Sequence, residues 1–267
     1  MTEAAERARL VEALAALADA AGAAIMPYFR GAFAVEKKAD ASPVTAADRA
    51  ADQVILAGLA RLTPDIPAVT EEEVAEGRVP DISGGRFWLV DPLDGTKEFI
   101  GGRDEFTVNI ALIERGRPVL GVVGAPALGV LYAASGPGAV TRRAGGGGPV
   151  AIRARSAPAD GLSVLVSRLH GSRPELDRYL AALPIRERLA AGSSLKFCWI
   201  AEGRADLYPR FGPTNEWDTA AGHAVLAAAG GRCTGVEGEP FVYGKADQGF
   251  KNGWFVARGG KLELDSR

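Results

Sequence analysis

Two aspartates, Asp91 and Asp94, lie three residues apart at the end of a short apolar run, residues 87–90. The run contains residues that favour β-strands, and its unbroken apolar character predicts a strand buried on both faces. Pro92 cannot donate to a sheet and Gly95 adopts backbone angles that other residues avoid, so we expect the chain to leave the sheet here. Negative charge at the end of a buried strand is costly unless a cation balances it, and oxygen ligands suit a hard divalent ion.

The string DPLDG by itself also fits a simple turn, since Asp, Pro and Gly are ordinary turn residues. The residues that follow it favour a metal site. Gly95 and Thr96 offer backbone N–H groups and a hydroxyl, and Lys97 adds a positive charge. A phosphate binds such groups together with a metal ion. The stretch therefore predicts a metal-assisted phosphoryl site.

Acidic residues earlier in the chain could contribute further oxygen ligands. The acidic triplet at residues 71–73 follows a short predicted strand at residues 68–70. Such a triplet is usually a solvated loop, but directly after a strand one member can reach the metal. Asp48 lies three residues after Thr45, which fits a capping box at the start of a helix. Its carboxylate could also project toward the metal from the first turn of that helix.

Asp218 lies in the first turn of a predicted helix, residues 217–229, which consists mainly of small residues. The helix dipole favours an acidic residue there without any further role. Small residues also let a helix pack closely against its neighbour, so a carboxylate held at this terminus suits a third arm of a metal site. His223 in the same helix is expected to pack inside the protein rather than to act as a base.

Chain length and composition are typical of a globular protein. The 267 residues can form one large domain or two lobes, with 47% hydrophobic and 24% charged residues. The net charge of −2 supplies no basic field, so a nucleic acid is not expected as a partner. Cys198 and Cys233 are expected to be buried free thiols. The N-terminus predicts an amphipathic helix rather than a signal peptide, and no segment is expected to be apolar for long enough to cross a bilayer, which favours the cytoplasm.

The pattern of apolar residues predicts two lobes of different architecture. Residues 1–150 predict two long helices, at 3–30 and 46–62, together with strands and an antiparallel meander, which is an α+β arrangement. Residues 151–267 alternate strands and helices, which predicts a layered α/β lobe. The glycine run at 145–148 lacks the GKS or GKT ending of a phosphate loop, so it predicts a hairpin or linker near the lobe boundary.

The order of these motifs resembles that of the inositol-monophosphatase-like family of magnesium-dependent, lithium-sensitive phosphatases. TEE, WLVDPLDGT and WDTAAGHAVLAAAGG stand in the family's order. KADASPVTAAD, DPLDGTKEFI, AGSSLKFC and YPRFGPTNEWDTAAGH are similar to its CysQ-type branch, the bacterial 3'(2'),5'-bisphosphate nucleotidases. An ordered set of motifs is far more specific than a single motif. The resemblance implies a layered αβαβα sandwich of the sugar-phosphatase type.

The resemblance also implies a set of ligands for two or three Mg²⁺ ions. It assigns to the metal Glu71, Asp91, the backbone carbonyl of Leu93, Asp94 and Asp218. The choice of Glu71 over Glu72 depends on the small residue that precedes a glutamate pair in the family. The family's further catalytic aspartate corresponds to Asp48 and its threonine to Thr96, which together with Glu71 would orient the attacking water.

For the substrate, the resemblance implies contacts from both lobes: Gly95, Thr96, His170, Gly192, Ser193, Ser194, Lys196, Arg210 and Asp218. Two of these also have simpler interpretations. Lys196 fits a surface charge on a helix, and His170 fits a loop residue that bonds to the backbone. The chain reads Ser-Arg-Leu-His at residues 167–170, where the family usually has SRSH, and this departure concerns only the adenosine contacts.

The implied reaction is hydrolysis of adenosine 3'(2'),5'-bisphosphate to AMP and phosphate by metal-activated water, with a role in sulfur metabolism. The same metal core would suit inositol 1-phosphate or fructose 1,6-bisphosphate. An inactive nucleotide-binding regulator and a purely structural cation site are further alternatives. The implied partner is a small phosphorylated substrate, an adenosine bisphosphate. The chain is expected to be a monomer or homodimer, cytoplasmic or attached peripherally to the inner membrane face.

Overall fold

Helices lie at the start of the chain and between groups of its strands. In a computed structural model, residues 3–30, 35–37, 43–167 and 174–260 are described. Within these ranges the seven α-helices are α1 (Glu3–Ile25), α2 (Ala46–Leu62), α3 (Glu71–Ala75), α4 (Thr96–Ile100), α5 (Pro174–Ala181), α6 (Leu195–Ala201) and α7 (Trp217–Ala228). Short 3₁₀ segments cover Met26–Tyr28, Pro126–Leu128 and Ala246–Gln248.

The described residues also form fourteen strands in three sheets. The strands are β1 (Val35–Lys37), β2 (Pro43–Thr45), β3 (Ala68–Thr70), β4 (Arg86–Asp94), β5 (Thr107–Glu114), β6 (Arg117–Ala125), β7 (Val130–Gly136), β8 (Ala139–Ala144), β9 (Val150–Ala151), β10 (Leu162–Ser167), β11 (Ile185–Ala191), β12 (Leu207–Arg210), β13 (Arg232–Gly235) and β14 (Phe255–Arg258). The smallest sheet is the antiparallel pair of β1 and β2.

The larger sheets divide the chain between them. The seven-stranded sheet has the order β3-β4-β5-β6-β7-β8-β9, and only its β3–β4 pair is parallel. The glycine run at 145–148 lies in the connection between β8 and β9, so the predicted hairpin is confirmed. The five-stranded sheet has the order β11-β10-β12-β14-β13, with β10 parallel to β11 and β12.

The helices cover both sheets in alternating layers. Helices α1 and α2 pack on one face of the seven-stranded sheet, where Leu14, Ile55 and Trp88 are buried. Helices α6 and α7 fill the space between the two sheets, and α5 covers the outer face of the five-stranded sheet through Leu180. The predicted mixed α/β sandwich is therefore confirmed as an αβαβα arrangement. One core cluster contains residues of both large sheets, among them Leu89 and Phe255. The division of the chain into two lobes at residue 150 stays a prediction.

Helix α1 with the 3₁₀ turn after it, Ala4–Tyr28, is long and apolar enough by length and composition to cross a membrane. The expectation that no segment reaches that length is therefore wrong. The helix buries Leu14, Ala21 and Ile25 in the core beside α2 and the seven-stranded sheet. Core helices of soluble proteins pass the same test, so this one helix does not show a membrane span.

Strand β4 continues through Pro92 to Asp94, so the expectation that the chain leaves the sheet at Pro92 is wrong. Asp91 pairs with Asn109 and Asp94 pairs with Thr107, and the register shifts between the two aspartates. At such an irregularity some residues do not need to form hydrogen bonds with the neighbouring strand. The sheet therefore tolerates a proline there, although proline has no N–H group to donate.

Candidate active site

The end of β4 places two acidic side chains and a carbonyl at one cavity. Asp91 is buried, and its Oδ1 accepts a hydrogen bond of 3.1 Å from the backbone N–H of Leu93. Gly95 follows in the left-handed conformation with φ of +88°, which glycine adopts without strain, and α4 begins at the next residue. The N–H groups at the start of a helix have no acceptor within it, so Gly95 and Thr96 can bind an anion as the sequence suggests.

The acidic triplet separates into three side chains with different surroundings. Thr70 caps α3, since its Oγ1 accepts a hydrogen bond of 3.1 Å from the N–H of Glu73. Glu71 lines the same cavity as Asp91. Glu72 is buried and its charge acts on Asp52 of α2, whereas Glu73 bonds to Arg78 at the surface. The position of Glu71 therefore favours it over Glu72 as the residue that faces the site.

Helix α7 brings Asp218 to the cavity because small residues let the helix lie close to its neighbours. A Cβ atom on Gly222 would come within 2.7 Å of Phe197, and one on Gly121 of β6 within 2.6 Å of Ala224. Asp218 lies in the first turn, and its Oδ2 accepts a hydrogen bond of 2.8 Å from the N–H of Asn215. The close packing predicted for this helix is confirmed.

The start of α7 is held by the segment that precedes β14. Glu216 is fully buried and forms an ion pair of 2.6 Å with Lys245, and it accepts the N–H groups of Gly244 and Lys245. The amide of Asn252 donates to the carbonyl oxygen of Asn215 at 2.7 Å. These contacts fix the turn whose N–H group orients Asp218.

The four acidic residues expected to meet around a metal line a single cavity of about 440 Å³: Glu71, Asp91, Asp94 and Asp218. Burial raises the pKa of Asp91 well above its usual range, and the charges of Glu71, Asp94, Asp218 and Asp48 add to the rise. Burial likewise raises the pKa of Asp218, with Asp94 and Glu71 contributing. The carboxyls are therefore near enough to repel one another, which a bound cation would relieve.

The donor set fits a hard divalent cation. Among the described residues, no three acidic, histidine or cysteine side chains converge tightly enough to hold a metal ion by themselves. The carboxyls thus share a cavity without closing on one point. Leu93 lines the same cavity and can add its carbonyl oxygen. An all-oxygen set of carboxylates and a carbonyl is the type that Mg²⁺ and similar ions prefer.

Among the residues that the structure describes, four positive side chains line the same cavity: Lys97, Lys196, Arg210 and Lys251. Burial lowers the pKa of Lys196 to about 8, although the charge of Asp94 opposes this shift. The Lys196 ammonium donates to the carbonyl oxygen of Ser193 at 2.6 Å and lies over the ring of Tyr208. The simpler interpretation of Lys196 as a surface charge is wrong, because its side chain is buried beside the cavity.

Most residues predicted to contact a substrate line the cavity: Gly95, Thr96, Gly192, Ser193, Lys196, Arg210 and Asp218. Ser194 is buried beneath it and bonds to protein groups instead. His170 lies outside the described residues. His223 packs against Tyr243, with 3.0 Å between its Nδ1 and the tyrosine hydroxyl, and burial lowers its pKa to about 4. The expectation of a packing histidine is confirmed.

Of the three residues expected to orient a water molecule, Glu71 and Thr96 line the cavity, whereas Asp48 is not among the lining residues. Thr96 lines the cavity, and its hydroxyl donates to the carbonyl oxygen of Leu93 at 3.2 Å. Asp48 is buried in the first turn of α2, and its charge acts on Asp91. The side chain of Thr45 lies outside the described part of the chain. A direct pairing of Thr96 with Asp48 stays a prediction.

Sequence reasoning missed Asn109, which is fully buried in β5. Its Nδ2 donates to Asp94 Oδ2 at 3.4 Å and to Ser194 Oγ at 3.0 Å. The sequence did contain a signal for it, a single amide inside the apolar run at residues 106–113. A buried polar side chain needs hydrogen-bond partners, so this amide indicated a polar contact inside the protein.

Comparison with known proteins agrees with this fold and identifies the family. A model of the inositol monophosphatase family matches residues 6–257. A protein of Escherichia coli O157:H7 named 3'(2'),5'-bisphosphate nucleotidase CysQ is 50% identical over 236 residues, which cover 88% of this chain and 94% of that protein. The solved structure of CysQ from Bacteroides thetaiotaomicron has a TM-score of 0.76 at 36% identity and covers 94% of this chain and 98% of its own. An inositol monophosphatase from Zymomonas mobilis has a TM-score of 0.73 at 30% identity, with coverage of 94% and 92%. The chain belongs to the inositol monophosphatase family.

Proposed function

We propose that this chain is a metal-dependent phosphomonoesterase that converts adenosine 3'(2'),5'-bisphosphate to AMP and phosphate. The observation that carries the proposal is that acidic and cationic side chains line one cavity together. Among the described residues the acidic ones are Glu71, Asp91, Asp94, Glu98 and Asp218, and four cationic ones accompany them. The relative from Escherichia coli O157:H7, which is 50% identical, is named as an enzyme for this substrate. The match covers 94% of that relative, so nearly all of its sequence has a counterpart in this chain.

The cation proposed for this site is Mg²⁺, as two or three ions. Glu71, Asp91, the carbonyl of Leu93, Asp94 and Asp218 would hold it, because they line the cavity with oxygen ligands. When bound, such an ion supplies an activated water and a counter-charge for phosphoryl oxygens. The raised pKa values of Asp91 and Asp218 favour a site that binds a cation in exchange for protons.

The chain's own residues have the remaining tasks. Thr96 and Glu71 line the cavity, where they can accept hydrogen bonds from a water molecule and hold it in line for attack, and the charge of Asp48 acts on Asp91. The N–H groups at Gly95 and Thr96 can neutralise charge on the transferred phosphoryl group. Arg210 and Lys196 line the cavity, which supports a role for them in binding a second anionic group of the substrate.

The number of cations around the cavity favours a substrate with two phosphates. Lys97, Lys196, Arg210 and Lys251 all line it, and one phosphate monoester does not need four positive side chains. Inositol 1-phosphate is therefore the weaker candidate on charge. Fructose 1,6-bisphosphate carries two phosphates and remains the alternative on the same metal core. We also propose that the chain binds a small molecule rather than a macromolecule and acts in the cytoplasm. It would do so as a monomer or a homodimer.

A phosphate-release assay on three substrates tests the proposal. We expect kcat/KM for adenosine 3',5'-bisphosphate to exceed that for inositol 1-phosphate and fructose 1,6-bisphosphate by at least about 100-fold, since a site built for one substrate leaves groups unpaired with another. Activity should disappear with EDTA and return with Mg²⁺. A higher kcat/KM for either alternative would contradict the proposed substrate, and no release from any of the three would contradict the enzyme.

A further inference from the structure

Ser194 connects two acidic residues of the site that come from distant parts of the chain. Its side chain is 1% exposed and lies just before α6. The Ser194 N–H donates to Asp94 Oδ2 at 2.6 Å. The Ser194 hydroxyl donates to the backbone carbonyl oxygen of Asp218 at 2.8 Å. One serine therefore bonds both to the end of β4 and to the first turn of α7.

Asn109 completes this connection from the neighbouring strand. Its Nδ2 donates to Ser194 Oγ at 3.0 Å and to Asp94 Oδ2 at 3.4 Å. Thr107 on the same strand brings its hydroxyl to 3.5 Å from the same carboxylate oxygen. Asp94 Oδ2 is thus surrounded by donors from the protein, and Oδ1 remains as the oxygen that a cation can take.

The arrangement has an energetic consequence for Asp94. Hydrogen bonds to the ionised form favour a carboxylate that is ready to bind a cation. They also restrict the rotamer of Asp94, so less conformational entropy is lost when the ion binds.

We propose that Ser194 and Asn109 form a buried clip that positions Asp94 and Asp218 for the divalent cation. The inference depends on the metal site proposed above. The resemblance instead placed Ser194 among the nucleotide contacts, but the residue is buried beneath the cavity and its hydroxyl bonds to Asp218. Both members of the clip are positioning residues, because they reach the cation through the two aspartates.

Thermal unfolding in the absence of substrate tests the clip. The melting temperature of the parent chain is measured against MgCl₂ at constant ionic strength. Fitting its rise to a stabilisation of RT ln(1 + [Mg²⁺]/Kd) gives the Mg²⁺ midpoint, the concentration that equals the apparent Kd. For Ser194→Ala we expect the midpoint to move to roughly tenfold higher Mg²⁺, as when a group that orients a metal ligand is lost. The N–H group that bonds Asp94 is retained in this variant. Phosphate release should show the same shift in Mg²⁺ dependence.

A buried serine elsewhere provides the matched control. Ser163 is fully buried in β10, its hydroxyl donates to Glu187 at 2.7 Å, and it is not among the residues that line the cavity. Ser163→Ala should lower the melting temperature without moving the Mg²⁺ midpoint. If Ser194→Ala does not fold, Asn109→Leu removes the amide while keeping four side-chain heavy atoms branched at Cγ, and it should shift the midpoint in the same direction.

Three outcomes would overturn the clip. An Mg²⁺ midpoint within twofold of the parent in both variants would mean that the clip does not position the ligands. A rise in KM for the nucleotide at unchanged Mg²⁺ midpoint would make Ser194 a substrate contact. A parent chain that Mg²⁺ does not stabilise would contradict the proposed metal site and the clip with it, whereas the substrate assay tests the reaction separately.

Discussion

Single carboxyl groups in this chain are held in surroundings that disfavour their charge. Asp91 shows this most clearly, because burial and four neighbouring acidic residues all raise its pKa. Asp52 of α2 shows the same effect outside the cavity. Burial raises its pKa to about 6, helped by Glu72, Glu73 and Glu76 and opposed by a hydrogen bond from Thr70. Such groups make the stability of the protein depend on pH.

Replacing Asp52 with asparagine should change that dependence. The pKa of Asp52 is about 6 in the folded chain and 3.8 for an ordinary aspartate, as in the unfolded chain. Its contribution to stability is therefore complete at low pH and is lost as the pH rises through about 6. Asp52→Asn stays neutral and can still accept the Thr70 hydrogen bond. The variant should therefore gain about 1–2 kcal/mol over the parent between pH 4 and pH 7, after allowance for solvent screening.

Urea unfolding of both chains at the two pH values, with EDTA present, measures this gain. A stability difference between variant and parent that is the same at pH 4 and pH 7 would mean that Asp52 does not titrate in this range in the folded protein.

The sequence predicted some of the individual residues of the site and missed others. Asp91, Asp94 and Asp218 were predictable because each stands at a boundary between an apolar element and a turn. The clip was not predictable, because Ser194 is 100 residues from Asp94 and 24 residues from Asp218 along the chain. Only the folded structure brings the three residues together. The burial of Lys196 was missed for the same reason.

Among the elements, α7 matters most because it carries Asp218 against the seven-stranded sheet. Its small residues allow the approach, and the sequence already predicted this much. The partner surface was not predictable, since it depends on Gly121 of β6, about 100 residues earlier. The path of β4 through Pro92 was mispredicted because a shift in strand register, which the sequence does not reveal, accommodates the proline.

Enlarging Gly121 should push α7 away from the sheet. A Cβ there would lie 2.6 Å from the Cβ of Ala224 and 2.7 Å from the carbonyl oxygen of Ala221, and a backbone atom cannot move aside cheaply. Gly121→Ala should lower the free energy of unfolding by about 1–3 kcal/mol and reduce phosphate release, because Asp218 moves with its helix.

Gly148→Ala is the control for this change, since a Cβ at Gly148 would meet nothing within 4 Å. It should alter the free energy of unfolding by no more than about 0.5 kcal/mol in urea titrations. Equal effects from the two substitutions would show that the close approach of α7 does not matter for stability.

The whole molecule is built around a core that both sheets share through α6 and α7. Alternating helices and strands in the sequence predicted the layers. They could not predict that the central helix layer would join residues such as Leu89 and Phe255 in one cluster. The order of strands in each sheet also depends on contacts between distant segments, which a pattern of local periodicities does not contain.

A shared core should make the chain unfold as one unit. We expect a single thermal transition, with the same midpoint by circular dichroism and by tryptophan fluorescence and with equal calorimetric and van't Hoff enthalpies. Two separate transitions would instead support independent lobes at residues 1–150 and 151–267.

The central claim is that carboxylates from distant parts of the chain act together on a metal in one cavity. Phosphate release from adenosine 3',5'-bisphosphate by Asp218→Asn at saturating Mg²⁺ tests it most directly, with Asp65→Asn as an exposed aspartate outside the cavity. We predict a loss of at least about 100-fold for Asp218→Asn, with no fall in melting temperature without metal, and a normal rate for Asp65→Asn. A rate near that of the parent from Asp218→Asn would contradict the site.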